Sequence, residues 1–483
     1  MRMIQKEWRL DPFPSPHSDW VMNLLQFSET LGEKCYTLLE GNEEEHQRTY
    51  YGFGEGWILS PETREPGLPP DPLAHLRDFC RQNFPARSCE SGIIGYLDYE
   101  WGLLWQKPKA TTAKPSYFFR LCPINLVFLP SSQKVILEIF SEDDSELSRL
   151  YDHWSTHLED WISQNHCQDH NHCQSHHHCQ DHNHLQEATP SGIAAPEIPT
   201  KHPSDPVTRP NQWQANFQPG EFISRVEKIK EYIHSGDIFQ AVLSQRFTLE
   251  KTIDPWSAYQ KLRIVNPSPW LFCLFGEKET LVGSSPELLL SSIGSQIQTR
   301  PIAGTRPRGK DPLEDRQLEQ ELLDDAKEMA EHAMLVDLGR NDLGRVSDYG
   351  SVSVGKFCSV ERFSHVMHIV SSVEGRLAET YDSLDALKAV LPAGTLSGAP
   401  KVRAMEILQD LEPTRRGPYG GALGIYRWNG DLDFCITIRT LMIRDDEVSV
   451  QSGAGIVFDS IPQREYEETL HKAKALFKVV EDL

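Results

Sequence analysis

Two pairs of glutamates have the spacing that places carboxylates together on one face of a helix. Glu328 and Glu331 lie three residues apart within 324–345, a segment with the apolar content of a buried helix. Neighbouring carboxylates repel each other unless a lysine, an arginine or a hard divalent cation lies between them. An isolated pair is more often the solvated edge of an acidic helix. A second pair, Glu465 and Glu468, lies on another predicted helix, and two such helices facing one site would offer the oxygen ligands that Mg²⁺ prefers.

The segment 238–249, IFQAVLSQRFTL, alternates as a strand with one apolar and one mixed face. The apolar face is predicted to carry Phe239, Ala241, Leu243, Phe247 and Leu249. The other face carries Gln240, Val242, Ser244 and Arg246. This second face is polar enough to meet a ligand, and an exposed sheet face is the alternative.

Two glycine-threonine segments have the small residues and hydroxyls that allow close approach to an anion. They are PIAGTRPRG, which contains Gly304 and Thr305, and PAGTLSGAPK, which contains Thr395. Ser452-Gly453-Ala454-Gly455 would likewise leave a strand end open to a ligand. Either glycine-threonine segment alone is a weak signal.

Two further strands carry one chemically useful side chain each. In FSHVMHIV, His368 shares a face with Val366 and Val370 and is a candidate general acid or base, although a lone strand histidine is more often structural. CITIRTLMI alternates so that Arg439 leaves the face opposite Ile436, Ile438 and Met442, which suits an arginine that clamps a carboxylate.

The composition is that of a globular chain of 483 residues with a formal charge of −22. This charge disfavours nucleic acid and anionic membranes as partners. No apolar run reaches the length of a membrane span and the N-terminus has no secretory signal, so we expect no membrane association and a cytoplasmic location. The ten cysteines are interpreted as reduced thiols.

Composition divides the chain into three parts. Residues 1–162 contain short strands and a predicted helix at 146–162. Residues 163–212 contain a His/Cys tract with a six-residue period, from His166 to His184, and a proline-rich linker. Imidazoles and thiols at this density can bind Zn, Cu or Ni, but a repeat-expanded, disordered loop is the favoured interpretation. Residues 213–483 carry the motifs described above.

The ordered set of motifs resembles the chorismate-utilising enzymes, and among them the large, aminating component of anthranilate synthase. It comprises GDIFQAVLSQRF, PIAGTRPRG, EHAMLVDLGRNDLGRV, SHVMHIVSSVEG, GTLSGAPKVRAMEIL, YGGALGIY, ITIR and GAGIVFDS. The resemblance implies an α+β fold, a large antiparallel α/β sandwich in which 1–162 is the regulatory-type part and 213–483 the chorismate-binding part. It also implies that Glu331 and Glu468 hold Mg²⁺, supported by Glu328 and Glu465.

The resemblance further implies a role for each candidate residue. The substrate carboxylates would be bound by Gly304, Thr305, Tyr419, Arg439 and the backbone of Gly453, Ala454 and Gly455. Ammonia would attack C2 of chorismate while the C4 hydroxyl leaves, with His368 as general acid and Thr395 orienting that end. Loss of pyruvate would then give anthranilate, for tryptophan biosynthesis.

Two positions concern the nucleophile. Relatives that add water carry a lysine base where this chain has Gln240, and glutamine cannot deprotonate water. Many aminodeoxychorismate synthases carry a lysine where this chain has Ala303, although some lack it, so formation of 4-amino-4-deoxychorismate for folate synthesis is the alternative. No Gly-x-Cys-x-Gly elbow is present, so we expect a separate glutamine amidotransferase subunit and a hetero-oligomer.

A departure from the family concerns feedback inhibition. Tryptophan-inhibited relatives have Leu-Leu-Glu-Ser where this chain ends in Gly41, which removes a hydroxyl. The other positions of the possible tryptophan site are Pro269, Trp270 and Leu271, and Trp270 stands in place of the usual tyrosine. We therefore expect weak or absent inhibition by tryptophan.

Overall fold

Two large antiparallel sheets dominate the computed structural model, which describes residues 1–10, 20–41, 48–62, 71–83, 90–106, 115–173, 212–363 and 366–483. The strands are β1 Arg2–Arg9, β2 Cys35–Gly41, β3 Arg48–Phe53, β4 Trp57–Leu59, β5 Gly92–Leu97, β6 Tyr117–Leu121, β7 Ile124–Leu129, β8 Lys134–Ser141, β9 Gln214–Ala215, β10 Gln240–Glu250, β11 Trp270–Phe275, β12 Thr280–Ser285, β13 Leu288–Ile293, β14 Gln296–Thr299, β15 Ile302–Pro307, β16 Ser353–Val354, β17 Ser359–Arg362, β18 Val366–Val370, β19 Val373–Arg376, β20 Gly398–Ala399, β21 Ala422–Arg427, β22 Leu432–Ile436, β23 Thr440–Arg444 and β24 Glu447–Ile456. The helices are α1 Trp20–Thr30, α2 Pro72–Asn83, α3 Glu100–Gln106, α4 Asp144–Cys173, α5 Pro219–His234, α6 Pro255–Val265, α7 Pro312–Asp324, α8 Ala326–Gly344, α9 Ser383–Val390, α10 Gly394–Ser397, α11 Lys401–Leu411 and α12 Pro462–Glu481.

Both sheets combine strands from the two ends of the chain. The first has the order β1-β8-β7-β3-β2-β11-β12-β23-β24-β10-β20, with β9 beside β10. The second has the order β16-β19-β14-β13-β22-β21-β5-β6-β4. Strands from before the His/Cys tract and strands from after it therefore lie side by side in the same two sheets.

The core is layered as a sandwich. Apolar side chains of both sheets, such as Leu39, Phe272, Ile94 and Leu423, form one buried cluster between them. The outer face of the first sheet is covered by helices including α4, α6 and α12. The outer face of the second sheet packs on α2 and α9 among others. This arrangement confirms the predicted α/β sandwich.

A third, three-stranded sheet stands apart, with the order β15-β18-β17. Its own small core contains Leu322 of α7 with Met367 and Ile369 of β18, and Met329 of α8 packs against it. The sheet and the start of α8 therefore form one packed subassembly. It carries four of the predicted site residues, Gly304, Thr305, His368 and Glu328.

The sequence expectations for the N-terminal part are largely confirmed. Five extended stretches were predicted there, YTLLEG, YYGFGEGWIL, SGIIGYLDYE, INLVFLP and QKVILEIF. They correspond to β2, to β3 and β4 together, and to β5, β7 and β8. The predicted helix at 146–162 is longer, because α4 continues to Cys173 into the tract that we expected to be a loop. No glycine or proline interrupts 163–173, so the helix can propagate at small cost once formed. The rest of the tract and linker lies outside the described residues.

Two other expectations can be checked against the described side chains. All six cysteines described in full are free thiols: Cys35, Cys80, Cys122, Cys273, Cys358 and Cys435. None of the described helices is both long and apolar enough to span a bilayer.

Candidate active site

The two glutamate pairs lie on α8 and α12, as the spacing predicted. They are close enough for their charges to interact. Burial and the neighbouring carboxylates Glu328 and Glu468 raise the pKa of Glu331. Burial also raises the pKa values of Glu328 and Glu465, and the charge of Glu468 adds to both effects. The four carboxylates therefore form one electrostatically unfavourable cluster that a cation would stabilise.

Each of three carboxylates already has a partner within the chain. Gln240 Nε2 donates to Glu331 Oε1 at 2.8 Å. Lys472 Nζ lies 2.7 Å from Glu468 Oε1, and Arg306 lies 3.8 Å from Glu328 Oε1. In this conformation no three His, Cys, Asp or Glu side chains among the described residues are grouped to hold a metal.

Gln240 begins β10 and is buried at the floor of this cluster. Its carbonyl oxygen Oε1 is buried and has no hydrogen-bond partner among the described residues. Gly455 lies beside it on β24, where an added Cβ would come within 2.8 Å of Gln240 Nε2 and 3.5 Å of Glu331 Oε1. Phe239, in contrast, was predicted on the apolar face but is 71% exposed, because the strand begins only at Gln240.

A β-bulge positions the glycine-threonine pair opposite the histidine. The pairing of β15 with β18 shifts register between Ala303 and Thr305, and Gly304 has a φ of +63° at the bulge. Thr305 is thereby paired with His368 in the register, and Thr305 Oγ1 lies 3.1 Å from His368 Nδ1. A Cβ at Gly304 would contact Leu322 at 2.9 Å and Glu328 at 3.3 Å.

His368 is held as a neutral imidazole. Its Nδ1 lies 2.9 Å from the carbonyl oxygen of Gly304, which can only accept, so Nδ1 carries the proton. Burial lowers the pKa of His368 and the charge of Arg439 lowers it further, while the hydrogen bond to the Gly304 carbonyl opposes this change without reversing it. The free nitrogen Nε2 is therefore an acceptor at neutral pH.

Tyr419 and the glycines of β24 line one side of the candidate site. The hydroxyl of Tyr419 would lie 3.0 Å from a Cβ added to Gly453, and the Gly453 carbonyl accepts from Lys472 Nζ at 3.0 Å. Ala454 faces away from this side into a separate apolar cluster, so only its backbone is available. Beyond Val450, β24 pairs in the described residues only with β10, which leaves its other edge towards the site.

Arg439 reaches the site in a way that the sequence pattern did not predict. We expected one strand over CITIRTLMI, but the chain leaves the second sheet after Ile436 and enters the first sheet at Thr440. Arg439 lies at this crossover with a φ of +51°. Burial lowers its pKa, while Tyr419 and Glu468 raise it. The prediction of a single strand was wrong. The guanidinium of Arg439 nevertheless lies close enough to Tyr419 and Glu468, two other predicted site residues, to interact with them.

Sequence reasoning missed one buried acid. Thr395 Oγ1 donates to Glu287 Oε1 at 2.9 Å, and Glu287 is 7% exposed beside a cavity of about 30 Å³. Burial raises its pKa to about 8, an effect that Thr395 opposes. The available signal was a single acid preceding an apolar strand, in SSPELLL. Lys472 was also missed, although it follows Glu468 by four residues, the spacing of a helical ion pair.

Residues of the possible tryptophan site lie next to each other in the first sheet. Gly41 of β2 is paired with Trp270 of β11. The indole of Trp270 is buried between the sheets, and within the described part of the chain its Nε1 has no hydrogen-bond partner. The preceding residue of β2, Glu40, lies 3.4 Å from Arg263 on α6. Burial raises the pKa of Glu40 to about 7.

A carboxylate cluster lies next to a buried arginine, a tyrosine and glycine-lined strand ends, and this convergence of polar groups is typical of an enzyme active site. The chain belongs to the chorismate binding enzyme family, because the family model matches residues 34–478.

Individual relatives are consistent with this membership. The chain is 54% identical over 268 residues to anthranilate synthase component 1 of Acetivibrio thermocellus, which covers 56% of this chain and 54% of that protein. The chain thus spans about half the length of such curated relatives. Anthranilate synthase component I from Streptococcus pneumoniae TIGR4 superposes with a TM-score of 0.64 at 33% identity, covering 92% of this chain and 91% of the other. The menaquinone-specific isochorismate synthase from Escherichia coli shares the fold, with a TM-score of 0.69 at 18% identity over 99% and 94% of the two chains.

Proposed function

We propose that this chain is the aminating component of an anthranilate synthase, which converts chorismate and ammonia to anthranilate, pyruvate and water. The observation that carries the proposal is Gln240, a neutral amide hydrogen-bonded to Glu331 at the floor of the site. An amide offers no base to activate water, so an uncharged ammonia molecule is the nucleophile that needs least help. Relatives that are named anthranilate synthase component 1 support the choice of ammonia over water.

The anionic substrate is bound by groups from four parts of the chain. Arg439 provides a bidentate donor for a carboxylate, and Tyr419 and Thr305 provide hydroxyls. The free edge of β24 around Gly453 and Gly455 provides backbone donors without side chains that would obstruct the ring.

The four glutamates fit Mg²⁺ by chemistry, because the donors are carboxylate oxygens whose mutual repulsion a divalent cation relieves. Glu331 and Glu468 would hold the ion, with Glu328 and Glu465 beside them. Gln240 and Lys472 contact the Oε1 atoms of Glu331 and Glu468, and a bound ion would share these carboxylates with them or replace them. The bound ion would screen the ring carboxylate of the substrate.

Departure of the C4 hydroxyl requires a proton. His368 is the predicted donor, but its lowered pKa and its Nδ1–H bond to Gly304 present an acceptor nitrogen near neutrality. Glu287 has the opposite property, since a carboxyl group with a pKa of about 8 carries a proton at pH 7. We assign proton donation to Glu287, placed by Thr395, and proton acceptance after amination to His368.

The nitrogen is supplied by a second chain. The relatives are named as component 1, which implies another component. A glutamine amidotransferase that releases ammonia into this site fits the absence of a glutaminase elbow in the sequence.

The test is to incubate the isolated chain with chorismate, Mg²⁺ and ammonium salt at high pH, and to identify products by mass and fluorescence. We expect anthranilate with an equal amount of pyruvate, and no turnover with glutamine alone. Accumulation of 4-amino-4-deoxychorismate would assign the chain to folate synthesis instead. A hydroxylated product without nitrogen would refute the argument from Gln240.

A further inference from the structure

The outer face of α4 carries two exposed histidines one helical turn apart. The inner face packs Trp154, Leu158 and Trp161 into the core beneath the first sheet. His153 and His157 lie on the opposite, solvent-exposed side. This face belongs to the N-terminal part of the chain, and neither histidine contacts the carboxylate cluster on α8 and α12.

The two rings are arranged as a pair. Their centroids lie 4.6 Å apart, with an angle of 47° between the planes. His157 Nδ1 lies 2.7 Å from the backbone carbonyl oxygen of His153, so Nδ1 is the protonated nitrogen. This bond fixes the tautomer and leaves the lone pair on Nε2, and a backbone carbonyl commonly fixes the tautomer of a metal-binding histidine in this way.

The surroundings of the pair affect the charge of His153. Desolvation lowers the pKa of His153, and the charges of His157 and Arg149 lower it further. Arg149, one turn earlier, opposes a bound cation. Asp152 and Asp160 are exposed on the same helix and carry the opposite charge.

We propose that His153 and His157 chelate one borderline transition-metal ion of the Zn²⁺, Ni²⁺ or Cu²⁺ class on the surface of α4. Imidazole nitrogens four residues apart on a helix suit these ions, whereas Mg²⁺ prefers oxygen ligands. The described residues provide no third ligand at this position, so water completes the coordination. The site is independent of chorismate chemistry and differs from the carboxylate cluster in both ligand type and metal class.

The test must separate this pair from the eight histidines and three cysteines of the tract between His166 and His184. We define a tract-silenced chain as the full chain, without an affinity tag, in which those histidines are Asn and those cysteines are Ser. Zn²⁺ is titrated calorimetrically with excess Mg²⁺ present to occupy the carboxylates. We expect one Zn²⁺ per chain with a dissociation constant on the order of 10 µM, since two ligands bind far more weakly than a four-ligand structural site.

H153N and H157N should each weaken binding by at least roughly 10-fold, because each removes one of two ligands. H234N is the matched control, since His234 Nδ1 makes the same bond to a carbonyl four residues earlier, that of Lys230, but has no second imidazole there. Electron paramagnetic resonance with one equivalent of Cu²⁺ should show two coordinated nitrogens in the tract-silenced chain and at most one in either variant. Unchanged Zn²⁺ affinity in the H153N/H157N variant, or no Zn²⁺ binding to the tract-silenced chain, would overturn the proposal.

Discussion

Replacing Glu287 by Gln should make the protein more stable and less active. The amide has nearly the shape of the protonated carboxyl group, and its carbonyl oxygen can still accept from Thr395. It cannot ionise and cannot deliver a proton. The two effects have opposite signs, so a general disruption of the fold cannot imitate them.

The stability change follows from the raised pKa of Glu287. Between pH 4.5 and about 8 the folded chain keeps this proton and the unfolded chain loses it, so stability decreases as pH rises through this window. Within this window the free energy of unfolding falls by about 1.4 kcal/mol for each pH unit. The free energy of unfolding of E287Q should therefore rise, relative to the natural chain, by about 3 to 4 kcal/mol between pH 5 and pH 8.

The activity change tests the proposed proton donor. The kcat of E287Q with ammonium should fall by roughly 10²- to 10⁴-fold, the usual contribution of general acid catalysis. The kcat of the natural enzyme, corrected for the fraction of free ammonia, should decline above about pH 8, where Glu287 ionises. If His368 were the acid, its lowered pKa would place the decline below pH 6.5 instead.

The measurements are urea unfolding at several pH values and steady-state anthranilate formation. Glu138 provides a matched control, because it is a fully buried acid with a raised pKa, bonded to Ser91 and remote from the site. E138Q should alter the pH dependence of stability and leave kcat unchanged. Full activity of E287Q, or the same pH dependence of unfolding as the natural chain, would refute the reasoning.

Three other predictions concern the metal, the tract and inhibition. E331Q or E468Q should abolish turnover and weaken Mg²⁺ binding while the fold is retained. E467Q, which lies beside Glu468 on α12, is the control and should change neither. Full activity of E468Q would end the assignment of Glu468 as a metal ligand. Deleting 166–184 should leave kcat and KM unchanged, since we place no catalytic group there, and loss of activity would show that the tract has a structural role. Tryptophan should inhibit weakly, because the missing hydroxyl at Gly41 costs roughly 1 to 3 kcal/mol, or about 5- to 150-fold in affinity. Micromolar inhibition of the natural chain would contradict this, and G41S should strengthen inhibition.

The parts of the site that the sequence predicted depend on local periodicity. Residues three apart on a helix share a face whatever surrounds them, so the Glu328–Glu331 and Glu465–Glu468 pairs could be placed without tertiary information. The same holds for His368, which alternates with the buried Met367 and Ile369. Their convergence depends on the approach of α8 and α12, which spacing alone does not determine.

The parts that were missed depend on contacts between distant residues. β1 pairs along its whole length with β8, more than 120 residues later, and no local pattern marks Arg2–Arg9 as its partner. Glu287 looks like an ordinary strand-end acid until the fold removes it from water and brings Thr395 within 2.9 Å. Its chemistry is a property of burial.

Arg439 shows why an alternating pattern can predict the right residue for the wrong reason. Residues 435–443 alternate throughout, but Cys435 is paired with Leu288 in the second sheet and Leu441 with Val282 in the first. A chain that crosses from one sheet to the other must turn, and Arg439 makes this turn in the left-handed region that few non-glycine residues adopt. The crossover brings the guanidinium under the influence of Tyr419, Glu468 and His368, which lie on separate elements. A straight strand would have kept Arg439 on one sheet face, so the backbone conformation at this one residue is what allows the arginine to serve the site.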